Sequence, residues 1–454
     1  MKPLGYSTNS KEHLMSQQFS SRREILQNWN PEDNSFWESY GKTIAKENLI
    51  VSTAALTLAF CVWYLWSTVA SQLNSVGFNF TKDQLFTLAA LPGLVGATLR
   101  FLFTYMPAWL GGKNFTFIST LILLVPVIGL GFAVQDPSTS YGTFAILVAL
   151  IGIAGANFAS SMANIGNFFP QSGKGTALGI NGGIGNLGVS IIYFVGPFAI
   201  GSATLANIFG VAPVTVKGSA VYLANAAFVW IIPIIIMLGL ILKFMDNLPV
   251  AKPNPAAIKS ILSDKHTWII TWIYLCGFGA FSGYAASMSL LSTTEFPDVN
   301  IKYIAFLGPL LAASFRPIGG WLADKLDSGT KVTMFGLIGL VIMTAGVGLG
   351  ISIHSFYLFF ISTLLVFLMT GFVTGGSFRM IPHLFDTAMK SNLVVGFSAA
   401  VGAYGAFISP KIFGTSYTLF GSSQPVFWLL IAYTGFTVFL TWFFYARKGT
   451  NVHA

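Results

Sequence analysis

The chain has 454 residues, of which 54% are hydrophobic and only 9% charged, with a net charge of +9 and a mean hydropathy of +0.70. Soluble domains carry roughly 25% charged residues, so this composition excludes a water-soluble globular fold. The basic excess does not call for a nucleic-acid partner, because most of it falls between apolar stretches, where membrane topology explains it.

Residues 1–47 are polar and read as a cytoplasmic tail, with no cleavable signal peptide expected before the first span. The segment SFWESYGKTIAKENL near its end suggests a short interfacial helix, with Trp37 and Tyr40 at the headgroup level. A membrane span needs about 20 apolar residues. Twelve such stretches follow: 48–70, 84–107, 114–134, 141–167, 175–201, 222–245, 266–292, 301–323, 331–352, 355–380, 392–415 and 424–446. Hydrocarbon leaves backbone groups no partner but each other, so these are helices. The polar segment 246–265 divides them six and six, giving bundles over 48–245 and 266–446 and a tail over 447–454. The two tails, the central linker and the loops after even-numbered spans hold 17 Lys and Arg residues; the remaining loops hold Lys82, Lys217, Lys302 and Lys411. This bias puts both termini in the cytoplasm.

Catalytic chemistry finds no footing. Cys61 and Cys276 lie in separate spans, and the five histidines are scattered. There is no phosphate-binding loop and no nucleophile paired with a base. The expectation is a protein that is not an enzyme and uses no cofactor or metal.

The halves resemble each other. GATLRFLFTYM places Arg100 in an apolar run, and AASFRPIGGWL does the same with Arg316, at an offset of 216 residues. GINGGIGNLG carries Gly179, Gly185 and Gly188 where GFSAAVGAYG carries Gly396, Gly402 and Gly405, at an offset of 217. Two features at nearly one offset indicate duplication. Two related six-helix halves with a site near the midplane are the architecture of major facilitator transporters. The segment GGWLADKLDSGTK supports this: Gly320, Asp324, Lys325 and Lys331 match that superfamily's loop motif and are expected to staple helix ends. The equivalent segment in the first half has Ala108 in place of the acid.

Small residues let membrane helices approach closely. Gly182, Gly183, Gly185, Gly402 and Gly405 are expected on the surface where the halves rock; static packing is the alternative. A mid-membrane arginine costs from about 2.5 to over 10 kcal/mol, depending on the method. Snorkelling is the plain explanation, and it is the expected role of Arg379 beside His383. Arg100 and Arg316 lie deeper, and no span carries Asp or Glu away from its ends. A buried charge needs a partner, so the missing negative charge is inferred to be the substrate. The planar guanidinium fork suits an oxyanion.

At these residues the chain resembles the nitrate/nitrite porter family of the major facilitator superfamily, in its NarK-type bacterial branch. GFNFTKDQLF, AGANFASSMANIGNFFP, LGINGGIGNLGVS and STTEFPDV carry the likeness. The resemblance implies a bacterial inner-membrane carrier that works as a monomer among membrane lipids, with nitrate and nitrite as its partners. It implies that Arg100 and Arg316 hold the anion, that Phe158 and Phe278 pack on its faces, and that Asn186 and Tyr274 add polar contacts. Exchange of nitrate for nitrite is expected, since no buried carboxylate is present to carry a proton. Proton-coupled nitrate uptake and carriage of another small anion remain the alternatives, and a channel or a membrane sensor would be told apart by its flux.

Overall fold

The computed structural model describes residues 19, 21–216, 218–249, 255–299, 301–385 and 387–447. Lys2, Lys11, Lys217, Lys252, Asp386 and Lys448 lie outside the described residues, as do residues 1–18 and 20 of the first tail and 448–454 of the second. The first half contains α1 (Asn34–Val76), α2 (Lys82–Phe103), α3 (Gly112–Ala133), α4 (Tyr141–Phe168), α5 (Gln171–Ile200) and α6 (Asn225–Phe244). The second contains α7 (Lys265–Glu295), α8 (Leu307–Lys325), α9 (Gly329–Ser352), α10 (Phe356–Leu384), α11 (Lys390–Phe420) and α12 (Gln424–Ala446). Eleven of these are long and apolar enough to cross a membrane. The twelfth, α8, is 19 residues long and carries Arg316, Asp324 and Lys325, which lower its apolarity without shortening it below a span.

Helix ends follow local chemistry. Thr81 and Gln84 form a reciprocal capping box at the start of α2, and Ser140, Ser328 and Ser355 cap α4, α9 and α10. The interfacial segment with Trp37 and Tyr40 is continuous with α1, which begins at Asn34; Trp37 packs edge-on against Phe169, at 5.7 Å between ring centres. A two-stranded hairpin, β1 (Val214–Val216) and β2 (Ser219–Val221), lies in the α5–α6 loop.

The duplication is visible in packing. In the first half α1 packs on α5, α2 on α4 and α3 on α6; in the second, α7 packs on α11, α8 on α10 and α9 on α12. The halves meet through α2 with α11 and α5 with α8, which are equivalent pairs. Arg22 bonds Asp246 at 2.6 Å, and His266 Nδ1 lies 3.0 Å from Tyr445 Oη, so both described ends and the linker share one face. This is the terminal face.

The halves are sealed on the far face. Ser67 donates to the Ala286 carbonyl (3.2 Å), Ser190 to that of Phe306 (2.9 Å), and Tyr193 to that of Ala285. Lys411 reaches Thr87 (2.9 Å) and Asp83 (3.4 Å). Lys411, counted above with the outer-face cations although it falls inside the eleventh span, lies within α11 at the seam. Toward the terminal face, a Cβ added to Gly179, Gly183, Gly320 or Gly396 would meet nothing within 4 Å.

Candidate functional site

Arg100 sits in the last turn of α2 and is fully buried. Its Nε donates to the Gly155 carbonyl of α4 at 3.0 Å, and its Nη1 donates across the seam to the Ala399 carbonyl of α11 at 2.6 Å. Its Nη2 has no partner. Three rings surround the guanidinium: Phe158 at 4.8 Å, Trp63 at 5.3 Å and Phe278 at 5.6 Å. Such cation–π contacts stabilise a charge that has been taken out of water. Phe158 comes from one half and Phe278 from the other, as expected for a site built at the interface.

Arg316 has a sparser setting. Its Nη2 donates to the Tyr274 hydroxyl at 3.3 Å, its Nη1 is buried without a partner, and its guanidinium lies 4.7 Å from the Phe378 ring. Tyr274 is stacked between Phe278 (5.5 Å, 11°) and Phe378 (4.6 Å, 8°). The result is a three-ring stack with one arginine at each end. A wide π-turn at Leu275–Gly279 follows Tyr274 and contains Phe278. Such turns mark functional sites because they re-aim side chains without ending the helix. Among the described residues neither arginine forms an ion pair.

Beside Arg316 lies a cavity lined by Asn186, Phe278, Phe281, Ala312, Ala313, Arg316, Thr370 and Thr374. It has room for about one water-sized body. Asn186 reaches it from α5, and its Oδ1 is buried without a partner. Of the six residues proposed from sequence, Asn186, Phe278 and Arg316 share this cavity. Tyr274 bridges to it through its bond to Arg316, while Arg100 and Phe158 lie at the other end of the stack. Among the described residues, no group of His, Cys, Asp and Glu could hold a metal ion.

The glycine segments serve the site differently from the expectation. A Cβ on Gly185 would lie 2.7 Å from Leu56 of α1, and one on Gly188 would lie 2.1 Å from the Thr57 carbonyl. One on Gly402 would lie 2.8 Å from Tyr274, and one on Gly405 would lie 2.2 Å from Gly279. Gly182 faces Phe158 at 3.4 Å. These four glycines and Gly182 pack within their own halves, α5 on α1 and α4, and α11 on α7. The assignment of Gly182, Gly185, Gly402 and Gly405 to the rocking surface is therefore corrected. Gly182 and Gly402 leave space for the site's own rings. Gly183 remains open, as do Gly179 and Gly396. The close backbone approach between halves occurs at Gly93, whose added Cβ would lie 2.4 Å from the Ala406 carbonyl carbon.

The loop motif forms a staple. Arg379 Nη2 bonds Asp327 at 2.7 Å and its Nε lies 3.4 Å from Asp324, joining α10 to the end of α8. Arg379 is thus ion-paired, where snorkelling was expected. Asp327 takes φ +46, a left-handed conformation that Asp tolerates. Lys325 lies over the Trp321 ring at 5.2 Å, the Lys331 amide is capped by Ser328, and Gly320 faces open space. Both acids are largely exposed, at 73% and 93%. Asp324→Asn should therefore lower stability by no more than about 1 kcal/mol in a thermal or chemical melt, and a larger loss would mean the staple is a structural keystone.

Sequence reasoning missed Trp63, Phe378, Thr370, Thr374 and the Ala399 carbonyl. Phe378 adjoins Arg379 in GGSFRM, where the charge drew the attention.

Residues 51–343 match the model of the Major Facilitator Superfamily. The nitrate/nitrite transporter NarU of Salmonella typhimurium is 41% identical, over 94% of this chain and 97% of that protein. The probable nitrate/nitrite antiporter NarK2 of Thermus thermophilus is 36% identical, over 95% and 99%. Among solved structures, the inward-open xylose transporter XylE from E. coli aligns with a TM-score of 0.63 at 16% identity, over 88% of this chain and 96% of that one. A bacterial Spinster homolog in an inward-facing, unoccupied conformation aligns with a TM-score of 0.66 at 15% identity, over 88% and 94%.

Proposed function

The chain belongs to the nitrate/nitrite porter family of the Major Facilitator Superfamily, transporters rather than enzymes, and from that premise we propose that it exchanges nitrate for nitrite across the bacterial inner membrane by alternating access. One observation carries this reading. Each half contributes one arginine with a buried, unpartnered nitrogen, and among the described residues no acid pairs with either. The anion is the counter-charge. Arg100 and Arg316 clamp it from opposite halves, Phe158, Phe278 and Tyr274 provide flat walls, and Asn186 contributes from α5.

Exchange follows from electrostatics. At a separation of about 8 Å and an effective dielectric of about 20, two guanidinium charges repel by about 2 kcal/mol. An anion removes that repulsion and bridges the halves, so the loaded carrier reorients more readily than the empty one. The sealed far face and the open glycines toward the terminal face support an inward-facing state, with both termini in the cytoplasm as the lysine and arginine bias indicates.

The test is counterflow in proteoliposomes with voltage and pH clamped. Labelled nitrate should enter vesicles that hold nitrite and should fail to enter empty ones, with no response to an imposed pH gradient. Proton-driven uptake into empty vesicles would replace exchange with symport.

A further inference from the structure

Away from the central path, the terminal face carries an open groove of about 660 Å³. The short helix Arg22–Gln27 forms one wall, the start of α3 at Lys113 forms a second, and residues 245–249, which leave α6, form the floor. We propose that this groove holds the headgroup of an anionic phospholipid of the cytoplasmic leaflet, with Arg23 and Lys113 binding its phosphate.

Side chains fix the floor. Arg22 takes both carboxylate oxygens of Asp246, at 3.0 and 2.6 Å, and Asn48 adds a third bond at 2.8 Å. Asn247 donates to Asn114 Oδ1 at 3.0 Å and accepts from the Asn114 amide at 3.3 Å, which pins the linker to α3. Gly111, at φ +86, leaves room for it: an added Cβ would lie 2.4 Å from Asn247 Oδ1.

Charge decides the class of headgroup. Arg22 is engaged by Asp246 and by Glu47 (2.7 Å). Among the described residues Arg23 and Lys113 form no ion pair. Lys113 is the second residue of α3, where the positive helix end disfavours a cation. It gives one N–H to the Leu242 carbonyl at 2.7 Å and keeps two. Two cations without an acid suit a phosphodiester. Among the described residues the groove's one acid is Asp246, and both of its oxygens are taken. The ammonium of a zwitterionic headgroup finds no free carboxylate here, so the groove favours a headgroup with net negative charge. The cytoplasmic leaflet supplies such lipids, and basic pockets between helices at that level hold them.

Apolar surface decides between a lipid and a free phosphate. Leu26, Leu248 and Pro249 line the same groove. Further along α3 and α6, Val125, Ile235 and Ile236 are each more than half exposed. Acyl chains cover such a surface, and a free phosphate leaves it unused.

The purified full-length protein in non-ionic detergent is titrated with phosphatidylglycerol, phosphatidylcholine and inorganic phosphate, and bound ligand is read by native mass spectrometry. Phosphatidylglycerol should bind about tenfold more tightly than phosphatidylcholine. Arg23→Gln combined with Lys113→Gln should remove that preference, while Lys259→Gln, exposed on the linker, should leave it within about twofold. Because Lys113 also holds the Leu242 carbonyl, Arg23→Gln alone is the second variant, and it should cut phosphatidylglycerol affinity about fivefold in a folded protein. Equal binding of the two lipids by the wild type, or a preference that survives in both variants, would overturn the proposal. Inorganic phosphate that binds as tightly as phosphatidylglycerol would also overturn it, since the ligand would then be a free anion. These readouts involve neither nitrate nor nitrite, so they bear on the groove alone.

Discussion

Arg316→Lys is expected to weaken nitrate and nitrite binding about 100-fold while the protein still folds. Among the described residues Arg316 makes one hydrogen bond to protein, to the Tyr274 hydroxyl at 3.3 Å, and one of its nitrogens is free. Little of the fold depends on it. Lysine keeps the charge but loses the planar pair of donors, and its compact ammonium cannot both hold Tyr274 and present parallel N–H groups to an anion. A hydrogen bond to a charged group is worth about 1.5–3 kcal/mol, and 100-fold corresponds to about 2.7 kcal/mol. The measurement is a binding titration beside a melting curve. An unchanged anion affinity would sink the clamp. Arg100 is a less clean position for this test, because its bond to the Ala399 carbonyl also joins the halves.

The contrast between the two arginines shows what the sequence conveys. Their repetition at a near-constant offset was legible, because a lone cation in an apolar span is costly and is seldom repeated without cause. The partition into two related halves followed from that repeat and from the linker. The capture of Arg100 by the Gly155 and Ala399 carbonyls was not legible, since every residue carries a carbonyl and none announces its direction. Phe378 was hidden among 42 phenylalanines. The glycine pattern was legible as a pattern but not as a surface. A helix has several faces, and the residue opposite each glycine is set by the helix crossing. The chain therefore gave no sign that Gly402 makes room for Tyr274, or that Gly93, in the ordinary-looking LPGLVG, bears the tightest seam.

Gly93→Val should leave anion binding at equilibrium largely intact and cut exchange by more than tenfold. At Gly93 the backbones of α2 and α11 touch across the two halves. An added Cβ would lie 2.4 Å from the Ala406 carbonyl carbon, 2.5 Å from the Phe407 nitrogen and 2.6 Å from the Ala406 oxygen. All three are backbone atoms, so no side chain can swing aside, and the helices must separate. The bonds flanking this contact depend on the same approach: Lys411 to Thr87 at 2.9 Å on one side, and Thr98 to Tyr404 at 2.9 Å on the other. Overpacking typically costs 1–3 kcal/mol, and here the cost falls on the state in which the far face is sealed, not on the packing inside either half. A carrier that cannot seal that face cannot open the opposite one with cargo aboard, so it binds without turning over. Spin labels at the far ends of α2 and α11 should report a longer distance in the variant than in the parent. Wild-type exchange in Gly93→Val, or an unaltered label distance, would mean that the far face closes without this contact and that the seam is sealed by the polar bonds alone.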